Sequence, residues 1–157
     1  MARVAGAGAV GASIEDYDAG DGIHSLEDAA RRVAAAAEAA RAENHIRAHP
    51  DLQDTIARLQ AYEHAGADVL YAPGLRNGEE IRAVCDAVSK PVNVLAHRGL
   101  TMSEIVEAGG QRISVGGALT WVAVGALVAA AEQIRDHGDF SALVAPAQLR
   151  EWLAGGS

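Results

Sequence analysis

Glu15 and Asp16 stand side by side at the end of an apolar run, Ala9-Val10-Gly11-Ala12-Ser13-Ile14. The run reads as a buried strand, and a strand delivers side chains to its carboxyl end with little freedom. Two carboxylates placed there suit a hard cation such as Mg2+, which takes oxygen ligands and keeps several waters. The plainer alternative is a strand followed by a turn, with Glu15 or Asp16 capping the loop. Gly116-Gly117 follows Arg112-Ile113-Ser114-Val115 and precedes a long apolar stretch. Backbone N–H groups and a helix N-terminus at such a corner favour a phosphate or carboxylate. The same two glycines serve equally well as a tight turn. Asn93 interrupts Pro91-Val92-Asn93-Val94-Leu95. A buried amide needs partners, so it is either a satisfied core group or a contact to ligand. His97 and Arg98 follow that strand in a loop that reads as solvated.

Other chemistries find little support. The six histidines do not cluster, and Pro50 breaks any helix that would align His45 with His49 for zinc. Gly6-Ala7-Gly8-Ala9-Val10-Gly11 has the letters of a dinucleotide fingerprint, but no strand precedes it. No Ser-His-Asp or Cys-His pairing can be argued. Cys85 is the only cysteine, which rules out a disulfide within the chain and fits a reducing cytoplasm. A net charge of -8 argues against nucleic acid and against an anionic membrane surface. The N-terminus is too mixed for a signal peptide. Residues 113–131 carry no charge and could span a bilayer by length. Their glycines, Ser114 and Thr120 favour a strand, a glycine turn and a buried helix instead, so no membrane span is expected.

The 157 residues suffice for one domain with a core. Half are hydrophobic but only 4% aromatic, so alanine-rich helices packed on a flat partner are expected. Residues 2–9 read as the end of a helix, and 10–14 as the first strand. Ser25, answered by Asp28, starts a helix expected to run to Glu43. Asp51 starts another that Gly66 ends, with no strand between the two. Strands follow at 68–72, 91–95 and 112–115. Between them lie helices begun by Asn77 with Glu80 and by Thr101 with Glu104. Cys85 falls on an outer helix. A long helix runs to about His137, and a short one at 148–154 is anchored by Trp152. Alternation at this spacing means βα units and a parallel sheet of about four strands with outer helices.

The order of these pieces resembles the isocitrate lyase and phosphoenolpyruvate mutase superfamily. The pieces are Ala7 to Gly11 with Ile14-Glu15-Asp16, Ala65 to Asp68, Ala72-Pro73-Gly74, Pro91 to Leu95 and Arg112 to Gly116. The phosphonomutase-like and 2-methylisocitrate-lyase-like subgroup is the most similar. The resemblance implies an incomplete (β/α)8 TIM barrel over residues 1–157, with 145–157 a C-terminal helical extension. It implies Mg2+ and cleavage or rearrangement of a C–C or P–C bond in a small 2-oxo acid or phosphonate, through an enolate. Glu15 matches the acidic residue the family places near the metal through water. Asn93, Gly116 and Gly117 fall where substrate contacts would lie. The family's Ala-Arg-Thr-Asp context finds its nearest counterpart in Ile46 to Asp51, which nominates Arg47. The Lys-Cys-Gly-His loop of the lyase branch is absent between Tyr17 and His24. The family's first three strands, with most metal-holding aspartates, have no counterpart, so the chain by itself is expected to be inactive. The alternative is a non-catalytic remnant or oligomerisation module. In either case the C-terminal helices are expected to make a homo-oligomer.

Overall fold

The computed structural model describes residues 13–35 and 39–143. It divides into two compact units, Met1–Val115 and Gly116–Ser157. The expected helix at 2–9, the start of the first strand and the Trp152 helix lie outside the described residues.

Five strands of the first unit form one parallel sheet: β1 (Ser13–Glu15), β4 (Ala39–Arg41), β5 (Val69–Tyr71), β6 (Val92–Leu95) and β7 (Arg112–Ser114), in that spatial order. Two further strands, β2 (Tyr17–Asp18) and β3 (Gly22–Ile23), make a small antiparallel hairpin after β1. Helix α1 (Leu26–Ala34) connects β1 to β4. A 3-10 turn (Asn44–Arg47) and α2 (Leu52–His64) lead to β5. Helices α3 (Gly78–Ala87) and α4 (Met102–Glu107) make the next two crossovers.

The sheet corrects the expectation of four strands. Helix α1 stops at Ala34 rather than Glu43, and Ala39–Arg41 enters the sheet between β1 and β5. The alanine-rich run has strong helical propensity, but propensity is worth only tenths of a kcal/mol per residue. A central strand satisfies its backbone groups on both sides, and that tertiary gain prevails.

The helix starts follow from local chemistry. The Ser25 hydroxyl accepts the Asp28 N–H at 3.1 Å. Asp51 accepts from Gln53 and Asp54, and Asn77 from Glu80. Thr101 and Glu104 complete a reciprocal capping box. Each cap meets N–H groups that the first turn of a helix leaves without intrahelical partners. Leu59, Tyr62, Leu70, Ile81, Val84, Val92, Val94 and Ile105 are fully or almost fully buried between these helices and one face of the sheet. Leu26, the first residue of α1, is exposed instead. Each large aliphatic buried there contributes about 1.5–3 kcal/mol.

The second unit contains α5 (Ala118–His137), closed by Gly138 at φ +64. The expected strand, glycine turn and helix are present, but no residue of the helix is buried. Leu119, Trp121, Val122 and Leu127 are exposed. By length and composition this helix could cross a membrane, which is weak evidence for a single helix.

Candidate functional site

Side chains alternate between the two faces of a strand, so register decides which residues share a face. Glu15 pairs with Arg41, Arg41 with Tyr71, and Tyr71 with Asn93. Leu95, on the same face as Asn93, pairs with Ser114. A polar row therefore crosses the sheet near its carboxyl ends, opposite the face that holds Leu70, Val92 and Val94. Glu15, Arg41, Tyr71, Asn93 and Ser114 compose it.

Contacts run along the row. Arg41 Nη1 donates to Glu15 Oε1 at 2.9 Å. The Arg41 guanidinium lies 5.1 Å from the centre of the Tyr71 ring, within reach of a cation–π attraction. Asn93 Nδ2 donates to Ser114 Oγ at 3.0 Å. Asn93 Oδ1 is buried and has no hydrogen-bond partner among the described residues. The amide is thus half satisfied, which leaves an acceptor free for a ligand or a water.

Behind Arg41 sits Glu43, whose side chain is fully buried. Arg41 Nε lies 2.5 Å from Glu43 Oε1, as an ion pair without hydrogen-bond alignment. Arg47 holds the other oxygen, with Nε donating to Oε2 at 2.8 Å. Arg47 also lies 3.8 Å over the ring of Tyr17. The hydrogen bond to the Glu43 carboxylate favours the charged form of Arg47 and raises its pKa, against the opposing effect of desolvation. A buried carboxylate needs such pairing, because an uncompensated charge in the interior costs several kcal/mol.

Two further buried groups lie off the row. Asp16 is buried and accepts from the Tyr62 hydroxyl at 2.6 Å. Burial, then the bond to Asp16, pushes the Tyr62 pKa well above its usual value. His45 Nδ1 lies 2.8 Å from Thr55 Oγ1, and burial lowers its pKa.

The residues nominated from sequence fall in different places. Glu15 and Asn93 share the row. Arg47 does not lie on it and is tied to Glu43 and Tyr17. Gly116 (φ +52) and Gly117 open the second unit. No side chain caps α5 there, so its first N–H groups are without side-chain acceptors. His97 accepts the Gly99 N–H within its own exposed loop.

Arg41, Glu43, Tyr71 and Ser114 were not nominated. A signal for the first two was present. Ala40-Arg41-Ala42-Glu43 keeps the small–arginine–small–acid order of Ala-Arg-Thr-Asp and sits at a strand end. It was hidden because the segment read as helix.

Mg2+ can be tested against these side chains. Among the described residues no group of three His, Cys, Asp or Glu could hold a metal ion. Glu15 contributes one carboxylate, with one oxygen already engaged by Arg41. The described residues do not fit an inner-sphere Mg2+ site by themselves.

Known proteins supply the frame. A family model described as phosphoenolpyruvate phosphomutase matches residues 1–135. An uncharacterized protein of Mycobacterium tuberculosis (strain H37Rv) is 31% identical over 108 residues, covering 69% of this chain and 42% of the relative. The crystal structure of a lyase/mutase-like protein from Burkholderia cenocepacia superposes with TM-score 0.87 at 41% identity. That match covers 98% of this chain and 62% of the other. A phosphonopyruvate hydrolase solved with oxalate and Mg2+ has TM-score 0.73 at 24% identity, over 96% of this chain and 60% of that one. This last likeness concerns the fold alone. The chain thus spans less than two thirds of the length of each of these proteins.

Proposed function

Because the chain belongs to the phosphoenolpyruvate phosphomutase family, we propose that its polar row binds a small 2-oxo acid or phosphonate and stabilises an enolate derived from it. When a C–C or P–C bond next to a carbonyl breaks, the electron pair moves into the carbonyl and its oxygen gains negative charge. Fixed donors aimed at that oxygen lower the barrier. Arg41 is the donor best placed for this. Its guanidinium stays charged and is held by Glu15, Glu43 and the Tyr71 ring.

The observation that carries this reading is Arg41 at the carboxyl end of a central strand, on the same sheet face as Glu15 and Asn93. Asn93, with a free buried acceptor, and Arg47 are proposed as further ligand contacts. Gly116 and Gly117 are proposed separately as a carboxylate or phosphate cradle at the start of α5. Mg2+, a cytoplasmic setting and a water-mediated role for Glu15 remain expectations from family membership, and the chemistry of the row rests on Arg41. Binding without turnover is the expected behaviour of this chain alone.

The test is a titration of the full chain with oxalate, a planar dianion that mimics an enolate of pyruvate. Side-chain N–H resonances of arginine and asparagine are followed by NMR, with and without Mg2+. Saturable shifts of Arg41 and Asn93 support the reading. An unchanged spectrum at millimolar oxalate in both arms removes it.

A second reading is an oligomerisation module built on α5. The exposed Trp121 (74%) and Leu119 (70%) favour it, since a helix apolar on all sides is rarely left in water. A monomer at high concentration in analytical ultracentrifugation would count against this reading and leave the first untouched.

A further inference from the structure

Asp16 is a carboxylate that the proposed chemistry does not use. It follows Glu15 directly and is 3% exposed. Such a group is costly unless its oxygens are met. Oδ1 accepts the Glu43 N–H at 2.8 Å. Oδ2 accepts the Tyr62 hydroxyl at 2.6 Å and Arg58 Nη1 at 3.2 Å. The Asp16 N–H donates to the Arg41 carbonyl at 3.3 Å, and the Asp16 carbonyl accepts the His24 N–H at 2.8 Å.

These bonds close a ring around one short segment. Asp16 grips the chain at Arg41 O and again at Glu43 N, on both sides of Ala42. That fixes how the backbone leaves β4, and with it the base of the Arg41 side chain. The grip is anchored from α2, where Arg58 and Tyr62 are four residues apart and share a face. Arg58 is itself held by Asp54 and by the His24 carbonyl.

We propose that Asp16, with Tyr62 as its hydroxyl donor, is a positioning residue for Arg41. It touches no ligand and sets the direction from which the guanidinium meets one. The consequence for ligand affinity rests on the anion-binding reading of Arg41, whereas the geometric claim stands without it. The competing role is simple adhesion of α2 to the sheet, which would lower stability and leave Arg41 where it is.

The experiment compares Asp16→Asn, Tyr62→Phe and a core control, Ile81→Val, in the full chain. Stability is measured by urea unfolding. The Arg41 Nε–H resonance and its hydrogen exchange are read by NMR, and oxalate affinity by titration. In Asp16→Asn the new amide N–H groups face two donors. In Tyr62→Phe one bond is lost and the Arg58 contact stays. Both variants are expected to shift the Arg41 resonance and speed its exchange, and to weaken oxalate binding about ten-fold. Ile81→Val is expected to leave all three readouts unchanged. An Arg41 signal that stays at its wild-type position in Tyr62→Phe overturns the proposal, as does an equal shift in Ile81→Val. Should Asp16→Asn fail to fold, Tyr62→Phe decides. A wild-type chain that ignores oxalate would remove the anion-binding reading, and the Arg41 resonance would still decide the positioning claim.

Discussion

Arg41 and Glu15 face each other across neighbouring parallel strands, with Nη1 and Oε1 2.9 Å apart. The pair is partly exposed on both sides, at 23% and 44% of the two side chains. An ion pair in that setting contributes little to stability on its own. Its value is geometric, because it holds a permanent cation at the carboxyl edge of the sheet.

Arg41→Lys should therefore separate charge from shape. Lysine keeps the charge but loses the planar fork that meets Glu15 and Glu43 together. Oxalate affinity is expected to fall about ten-fold, the size of one lost charge-assisted hydrogen bond. Calorimetric titration checks this, and an affinity equal to wild type would show that only the charge matters.

Gly74 lies at φ +98, where a side chain is strained. A Cβ there would come within 2.8 Å of Ile46 Cγ2 and 3.1 Å of His45 Cβ. Gly74→Ala should lower stability by about 2 kcal/mol, from backbone strain and overpacking together. Urea unfolding reads the change.

Thr101→Ala removes the acceptor for the Glu104 N–H and the hydroxyl donor to the Glu104 carboxylate, and leaves the backbone N–H of residue 101 donating to it. The Thr101 backbone N–H, and after it the Thr101 hydroxyl, lowers the Glu104 pKa. The expected loss is about 1 kcal/mol, typical of an N-cap. It should appear as a lower urea midpoint with an unchanged slope.

The buried imidazole of His45 gives a pH dependence with a definite sign. Burial lowers its folded-state pKa below the ordinary value, which is about 6.5 in an unfolded chain. The unfolded state then binds the proton more readily. The stabilisation is complete above about pH 6.5 and is lost as pH falls from there toward the folded value. The urea midpoint of the wild type should drop between pH 7.5 and 5.5, and His45→Gln should flatten that drop. Parallel slopes in the two proteins would assign the dependence to other histidines.

Local signals were legible where local chemistry decides. Ser25, Asp51, Asn77 and Thr101 were all recognisable as helix starts, because a cap is a bond between residues two or three apart. Asn93 was recognisable as an anomaly in an apolar strand. Residues 39–41 were not recognisable as a strand. Three residues of an alanine run become β4 only because β1 and β5 offer ladders on both sides. With that strand misread, Arg41 and Glu43 were placed on a helix and the row could not be assembled.

The sequence alone determined the family, the βα order apart from β4, and the helix starts, since these depend on residue types and short spacings. Tertiary structure decided which polar side chains meet. Glu15, Arg41 and Asn93 are separated by dozens of residues and become neighbours only through strand register. Asp16 reads locally as a loop cap and becomes a clasp on Arg41 only because α2 packs Tyr62 and Arg58 against it. Register and packing are long-range properties, and no local pattern carries them.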